Sequence, residues 1–315
     1  MSPRGISVGL VGAMLWGAHA VLLDYALGLS PFVTASFIAE PLAATAINDG
    51  LGSIWMGGIN AFLGRLRSLP GALRTRSGLL LLAAALCGGP FASASYVAAI
   101  GPVGPAYAVT VTAAFPAVGA LLARIFLKDR VRALGWTGIV LTVAGAALAA
   151  YAPPAGDSRH QALGTMFACL AALGWGCEGV LVAAAARHVS STVALNIYEV
   201  MSFVTIAVVI LPAIGASGLA VDAVTSPVFL VLVTASLCWI VAYLAFYRCL
   251  AIMGASRSLT VFSSYIVWTL LYTTLLGGAW PDWRLLMGAA VVLCGIALLS
   301  RDTGAGTVEV EHARE

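Results

Sequence analysis

Charged side chains are scarce in this sequence. Lys and Arg total 16 and Asp and Glu 13 among 315 residues, 9% of the chain, against about a quarter in a soluble domain. So little charge cannot cover a water-exposed surface, and 61% hydrophobic residues with a mean hydropathy of +1.00 place the chain in a bilayer. Cysteine is also sparse: the six residues Cys87, Cys169, Cys177, Cys238, Cys249 and Cys294 sit in apolar stretches without CxxC spacing, so neither a disulfide framework nor a zinc site is expected. There is no Walker loop, no HExxH and no plausible Ser/His/Asp arrangement. ATP-driven transport and protease chemistry are thereby excluded, and no enzyme activity, cofactor or metal is expected. The net charge of +3 does not imply nucleic acid, because in a membrane protein the placement of charge matters more than its sum.

What the sequence has in abundance is long apolar runs. A helix needs about 20 apolar residues to cross the hydrocarbon core, and runs bounded by charges or Gly/Pro clusters predict ten helices: 6 to 27, 32 to 60, 78 to 100, 104 to 127, 134 to 152, 163 to 185, 192 to 213, 227 to 250, 258 to 279 and 284 to 300. With the N-terminus inside, fourteen of sixteen basic residues fall on the inner side and only Arg159 and Arg284 outside, as the positive-inside rule requires. A multi-pass protein of the inner or plasma membrane with both termini cytoplasmic is the expectation. Arg4 and Ala18-His19-Ala20 resemble a signal peptide and its cleavage site, but that segment recurs later in the chain and is read as a helix. The polar tail, 301 to 315, is expected to be disordered.

The recurrence is regular. At an offset of 159, Trp16-Gly17 matches Trp175-Gly176, Val21 matches Val180 and Glu40 matches Glu199; at 150, Gly104, Thr110, Gly138 and Gly145 match Gly254, Thr260, Gly288 and Gly295. The difference of nine sits in the basic loop near residues 60 to 77. Each copy holds five helices, and an odd number inverts the second copy. The predicted fold is therefore all-α, an integral membrane protein of ten transmembrane helices built as an inverted repeat, with units at 6–152 and 163–300. Such duplications belong to secondary transporters, which place a substrate site near the midplane between the halves.

A carboxylate at bilayer depth costs about 2.5–3.5 kcal/mol on insertion scales, so Asp24, Glu40, Asp49, Glu178 and Glu199 need a reason. Glu178 is one turn from Trp175 on the same helix face, and its repeat mate His19 is one turn from Trp16. Glu178 either meets a cation or proton or hydrogen-bonds a neighbouring helix, and His19 is equally open. Glu40 and Glu199 are repeat mates expected mid-span, with Pro41 kinking the second helix. They either carry protons or lock the halves together. Asp24 and Asp49 are placed nearer span ends, in reach of water.

Aromatic residues gather on the same helices. Tyr265 and Trp268 form an i, i+3 face in the ninth helix, Phe115 is the repeat mate of Tyr265, and Tyr96 and Tyr243 lie on the third and eighth helices. Trp280 and Trp283 suit an interfacial belt. Rings facing a dehydrated cation each gain about 2 kcal/mol or more, and with one carboxylate they can recognise a quaternary ammonium. Gly88-Gly89-Pro90, the GPVGP turn at 101–105, Pro116 and Gly277-Gly278 are expected to interrupt helices where half-helices rock.

Ten helices, a duplicated five-helix unit and a WG pair early in each copy resemble the EamA family of the drug/metabolite transporter superfamily over residues 6 to 300. LGWGCEGVL (173–181), YEVMSF (198–203), AYLAFY (242–247) and SYIVWTLL (264–271) further resemble LicB-type choline transporters. This resemblance implies two EamA repeats and proton-coupled, alternating-access transport of choline or a related quaternary amine. It also implies a cage of Trp16, Trp175, Tyr265 and Trp268, with Tyr96 and Tyr243 as further walls, closed by Glu178; Phe115 joins the substrate-binding candidates as the repeat mate of Tyr265. Glu178, His19, Glu40 and Glu199 are the candidates for proton coupling. Phe262 and Ala94 replace polar residues of that family, which favours a methylated amine over choline itself. The expected partners are a small cationic substrate and the lipid bilayer, with no nucleic acid and with a homodimer left open. An exporter of amino acids or other small metabolites is the alternative reading, and a membrane receptor or lipid-modifying enzyme a remote one.

Overall fold

The computed structural model describes residues 3–127, 131–152, 160–185, 189–253, 261–277 and 280–301. The elements are helical, as expected for backbone whose hydrogen bonds must close internally in lipid. The long helices are α1 (Pro3–Leu27), α2 (Ala39–Phe62), α3 (Arg76–Val103), α4 (Pro105–Phe126), α5 (Ala133–Ala150), α6 (Gln161–Ala185), α7 (Ser191–Ala213), α8 (Val228–Met253), α9 (Tyr265–Gly277) and α10 (Trp283–Arg301). Among the described residues, eight helices are long and apolar enough to cross a membrane, not the ten expected. The two that fall short are α2, diluted by Glu40, Asn48, Asp49 and Asn60, and α9, which is described over only 13 residues. Side chains such as Phe62, Phe126, Leu230 and Leu276 stand fully or largely exposed on the outside, where lipid would cover them. The expected disordered tail, from 302, lies outside the described residues, as do Gly254, Thr260 and Gly278.

Two features correct the sequence reading. The second helix starts at Ala39 rather than 32, after a 3₁₀ turn at Phe32–Thr34. Pro41 therefore lies in the first turn, where its missing N–H costs nothing and kinks nothing. Gly88-Gly89-Pro90 does not interrupt α3: Cys87–Ser93 widens into a π turn that absorbs the proline, and the helix runs on. The GPVGP segment does form a break, with Gly104 at φ 80° joining α3 to α4. Pro116 follows a second break at Ala113-Ala114, and the repeat-equivalent Ser263-Ser264 makes the same turn before α9.

The helices pack across the repeats more than within them. Helix α1 lies against α8 and α9 of the second copy, and α6 lies against α3 and α4 of the first; α2 pairs with α7, and α5 with α10. The glycines carry this symmetry to the level of atoms. A Cβ on Gly17 would meet Thr269 N at 2.9 Å and Trp268 Cβ at 3.0 Å, and one on Gly176 would meet Val118 Cγ1 at 2.6 Å and Gly119 N at 3.1 Å. Residues 118 and 119 are the repeat mates of 268 and 269. Between α5 and α10 the four repeat glycines oppose one another: Gly145 faces the Gly288 carbonyl at 2.8 Å and Gly138 the Gly295 carbonyl at 2.7 Å, measured from the same hypothetical Cβ. Small residues let membrane helices approach to backbone contact where apolar burial offers no drive.

Candidate functional site

The WG pairs bring both repeats to one point. Gly17 and Gly176 draw α1 and α6 against α9 and α4, so Trp16 and Trp175 are carried inward, 6.3 Å apart and edge to face. Around Trp16 stand Trp239 at 4.6 Å, Tyr243 at 5.2 Å, Phe262 at 5.5 Å and Tyr265 at 5.7 Å between ring centroids. Around Trp175 stand Tyr96 at 5.3 Å and Phe115 at 6.3 Å. The Trp16–Tyr265 and Trp175–Phe115 contacts are repeat mates of each other, each ring opening the half-helix that follows a break. The cluster is closed on itself: Trp16, Trp239 and Tyr243 are buried and in mutual, tilted contact, with 4.7 Å between the last two.

Six of the seven expected cage rings are thus brought together. Trp268 is not among them; it is half-buried, its ring packs 6.1 Å from Tyr272, and its Cβ backs onto Gly17. The i, i+3 face that joined it to Tyr265 is split because Tyr265 starts the helix and turns toward Trp16. Sequence reasoning missed Trp239, the most buried of the tryptophans named here, although it lies one turn before Tyr243 on α8. It also passed over Tyr198, 6.5 Å from Tyr243.

The symmetry fails where the polar groups sit. In α3, Gly89 and Ser93 occupy the positions that Trp239 and Tyr243 hold in α8, and Ser202 of α7 fills the place that a side chain at Gly89 would take. Glu178 uses the space one residue earlier. It lies over Gly88, whose missing side chain leaves room for the carboxylate and for Tyr198, and it lines a cavity of about 10 Å³ with Leu81, Ala84 and Tyr198. Ser93 pairs its hydroxyl with Tyr198 Oη at 3.1 Å. His19, the mate of Glu178, is buried, donates Nδ1–H to the Ala235 carbonyl at 3.0 Å and packs 4.9 Å from Trp239.

The carboxylates do not lie where the sequence placed them. Glu40 is not mid-span but in the first turn of α2 and only partly buried, because the helix begins seven residues later than expected. Its mate Glu199 is fully buried and accepts the indole N–H of Trp239 at Oε1, 3.0 Å. Asp49, expected near water, is 1% exposed and accepts from Ser202 Oγ and from Asn48 Nδ2 at 3.3 Å. Thr45, Asp49, Gly52, Met56 and Asn60 form one stripe of α2 that faces α7 and α8. Along it Asn60 donates to the Thr192 carbonyl at 2.9 Å and Asn196 to the Ser53 carbonyl at 3.2 Å. Tyr96 Oη and Trp175 Nε1 are buried without a hydrogen-bond partner.

A family model described as the EamA-like transporter family matches residues 3–151 and again 162–301. The chain belongs to the EamA-like transporter family. It is accordingly a drug/metabolite-type membrane transporter, in a family of carriers rather than enzymes. A solved chain described only as the crystal structure of a protein aligns over 95% of this chain and 96% of its own, at 16% identity and a TM-score of 0.59, a likeness of fold alone. No curated protein matches. Within this EamA carrier, the ring cluster and its acids occupy the junction of the two matched segments.

Proposed function

We propose that this EamA carrier binds a small organic cation, choline or a related methylated amine, at the inter-repeat aromatic cluster and moves it by alternating access. One observation carries the reading. Among the described residues Glu178 stands one turn from Trp175 on α6, beside the rings, and no Lys or Arg is among the buried side chains. Aromatic rings with a carboxylate beside them favour a cation, since each ring face adds to the attraction and a desolvated carboxylate needs a positive partner. The unpartnered Tyr96 hydroxyl and Trp175 N–H add two donors beside the rings, which suits a cation that also carries an oxygen.

The rings of the cluster lie in contact with one another. Opening requires α1 and α6 to shift against α8, α9, α3 and α4, and the units 6–152 and 163–300 would rock as bodies. The distribution of Arg and Lys supports cytoplasmic termini in the inner or plasma membrane. The test is thermal stabilisation of the detergent-purified protein by choline, betaine, carnitine, guanidinium, aromatic amino acids and a sugar, because a ligand that binds only the folded state raises its apparent stability. A shift confined to methylated amines supports the reading. A shift with aromatic amino acids alone replaces it with a metabolite exporter.

A further inference from the structure

Glu178 accounts for only one of the buried acids. Asp49 and Glu199 meet across the α2–α7 contact in a reciprocal way. Asp49 accepts from Ser202, one turn along α7 from Glu199, while Glu199 Oε2 lies against Gly52, one turn along α2 from Asp49. Glu199 is 0% exposed and this Oε2 atom has no partner, nor do the neighbouring buried Asn48 Oδ1 and Thr45 Oγ1. Asn48 commits its amide N–H to Asp49, so its orphan carbonyl remains beside the pair. Two carboxylates this close, in an apolar interior and without a cation, cannot both stay ionised.

We propose that Asp49 and Glu199 together hold one shared proton, and that Trp239 connects this proton to the aromatic cluster. The other titratable groups facing the pair are Glu178 from α6, Tyr198 on α7, His19 from α1 and Tyr96 from α3. None of them is a Lys or Arg, and His19 already spends Nδ1–H on the Ala235 carbonyl. A proton on Glu199 Oε2 turns an unpartnered acceptor into a donor aimed at α2. On release the proton leaves through Asp49, which with His19, Thr45 and Trp239 lines a cavity of about 10 Å³, room for a single water molecule; the carboxyl O–H bond breaks as a new one forms on that water. The second negative charge then repels the first across the α2–α7 contact. Trp239 feels the change directly, since its N–H is bound to Glu199 and its ring lies 4.6 Å from Trp16 and 4.7 Å from Tyr243.

The transport half of this proposal rests on the carrier reading; the proton itself does not, and the two are measured separately. Infrared spectra of the purified protein at neutral pH are expected to show the C=O band of a protonated carboxyl that shifts in heavy water and survives Glu178→Gln. It should be lost in Glu199→Gln and displaced in frequency by Asp49→Asn and by Trp239→Phe, which removes only the indole donor. A band untouched by all three of these substitutions overturns the shared proton. In liposomes with radiolabelled choline as the probe, Glu199→Gln and Asp49→Asn are expected to keep choline exchange but lose accumulation driven by a pH gradient. Variants that still accumulate choline on the gradient overturn the coupling. Failure of the unaltered protein to exchange choline counts against the carrier reading alone, and the infrared result still decides the proton.

Discussion

Trp239 donates its indole N–H to Glu199 Oε1 over 3.0 Å. This single bond joins the polar α2–α7 contact to the ring cluster, because the same indole lies 4.6 Å from Trp16. A buried carboxylate deprived of a donor bears its full desolvation cost, about 1–3 kcal/mol.

Trp239→Phe is therefore expected to destabilise the purified protein by about that amount while keeping an aromatic ring in the cluster. Thermal unfolding in detergent reads it. A melting temperature equal to that of the unaltered protein would mean that the bond is already replaced by water.

The α5–α10 contact gives a sharper steric test. A Cβ at Gly145 would come within 2.6 Å of Val292 N and 2.8 Å of the Gly288 carbonyl, whereas one at Gly57 on α2 meets nothing within 4 Å. Gly145→Ala is expected to cost about 1–3 kcal/mol by overpacking, and Gly57→Ala to gain up to about 1 kcal/mol from helix propensity. Equal melting temperatures for the two would show that α5 and α10 part easily.

Much of this architecture was legible in the sequence, and the reasons differ by element. Offsets of 159 and 150 marked the WG pairs and the four glycines, and those residues prove to be the close contacts between repeats, since backbone approach tolerates only small side chains. Trp16, Trp175, Tyr96, Phe115, Tyr243 and Tyr265 could be grouped because symmetry placed their helices together. Trp239 could not, because its repeat mate is Gly89 and a broken symmetry leaves no trace in a register. Glu40 and Asp49 were misplaced for one shared reason: the run from residue 32 looked like continuous helix, and starting α2 at Ala39 moved Glu40 to the helix end and Asp49 to its buried stripe.

Glu178 is the acid one turn from Trp175 on α6. A pair of unit charges at an effective dielectric of about 20 is worth roughly 4 kcal/mol at close range, so Glu178→Gln is expected to weaken choline binding by about tenfold or more. Expression and melting temperature should hold. Gly88→Ala, which places a methyl where the Glu178 carboxylate and Tyr198 ring sit, should weaken binding as well. Unchanged affinity in both variants would return Glu178 to a packing role.

The rings divide in the same manner. Trp16→Leu is expected to cost about 2 kcal/mol of cation binding, while Trp268→Leu, whose ring faces Tyr272, should leave affinity nearly unaltered. Isothermal titration with choline separates them. Equal losses would place Trp268 in the substrate wall of another conformation.

The central claim is that a small cation crosses at the inter-repeat cluster. Uptake of radiolabelled choline into proteoliposomes with an imposed inward proton gradient tests it most directly. Saturable accumulation, competed by tetramethylammonium and with its affinity weakened by more than about tenfold in Trp16→Leu, is the result this account requires. No uptake of choline or tetramethylammonium, together with transport of a neutral or anionic metabolite by the same vesicles, would contradict it.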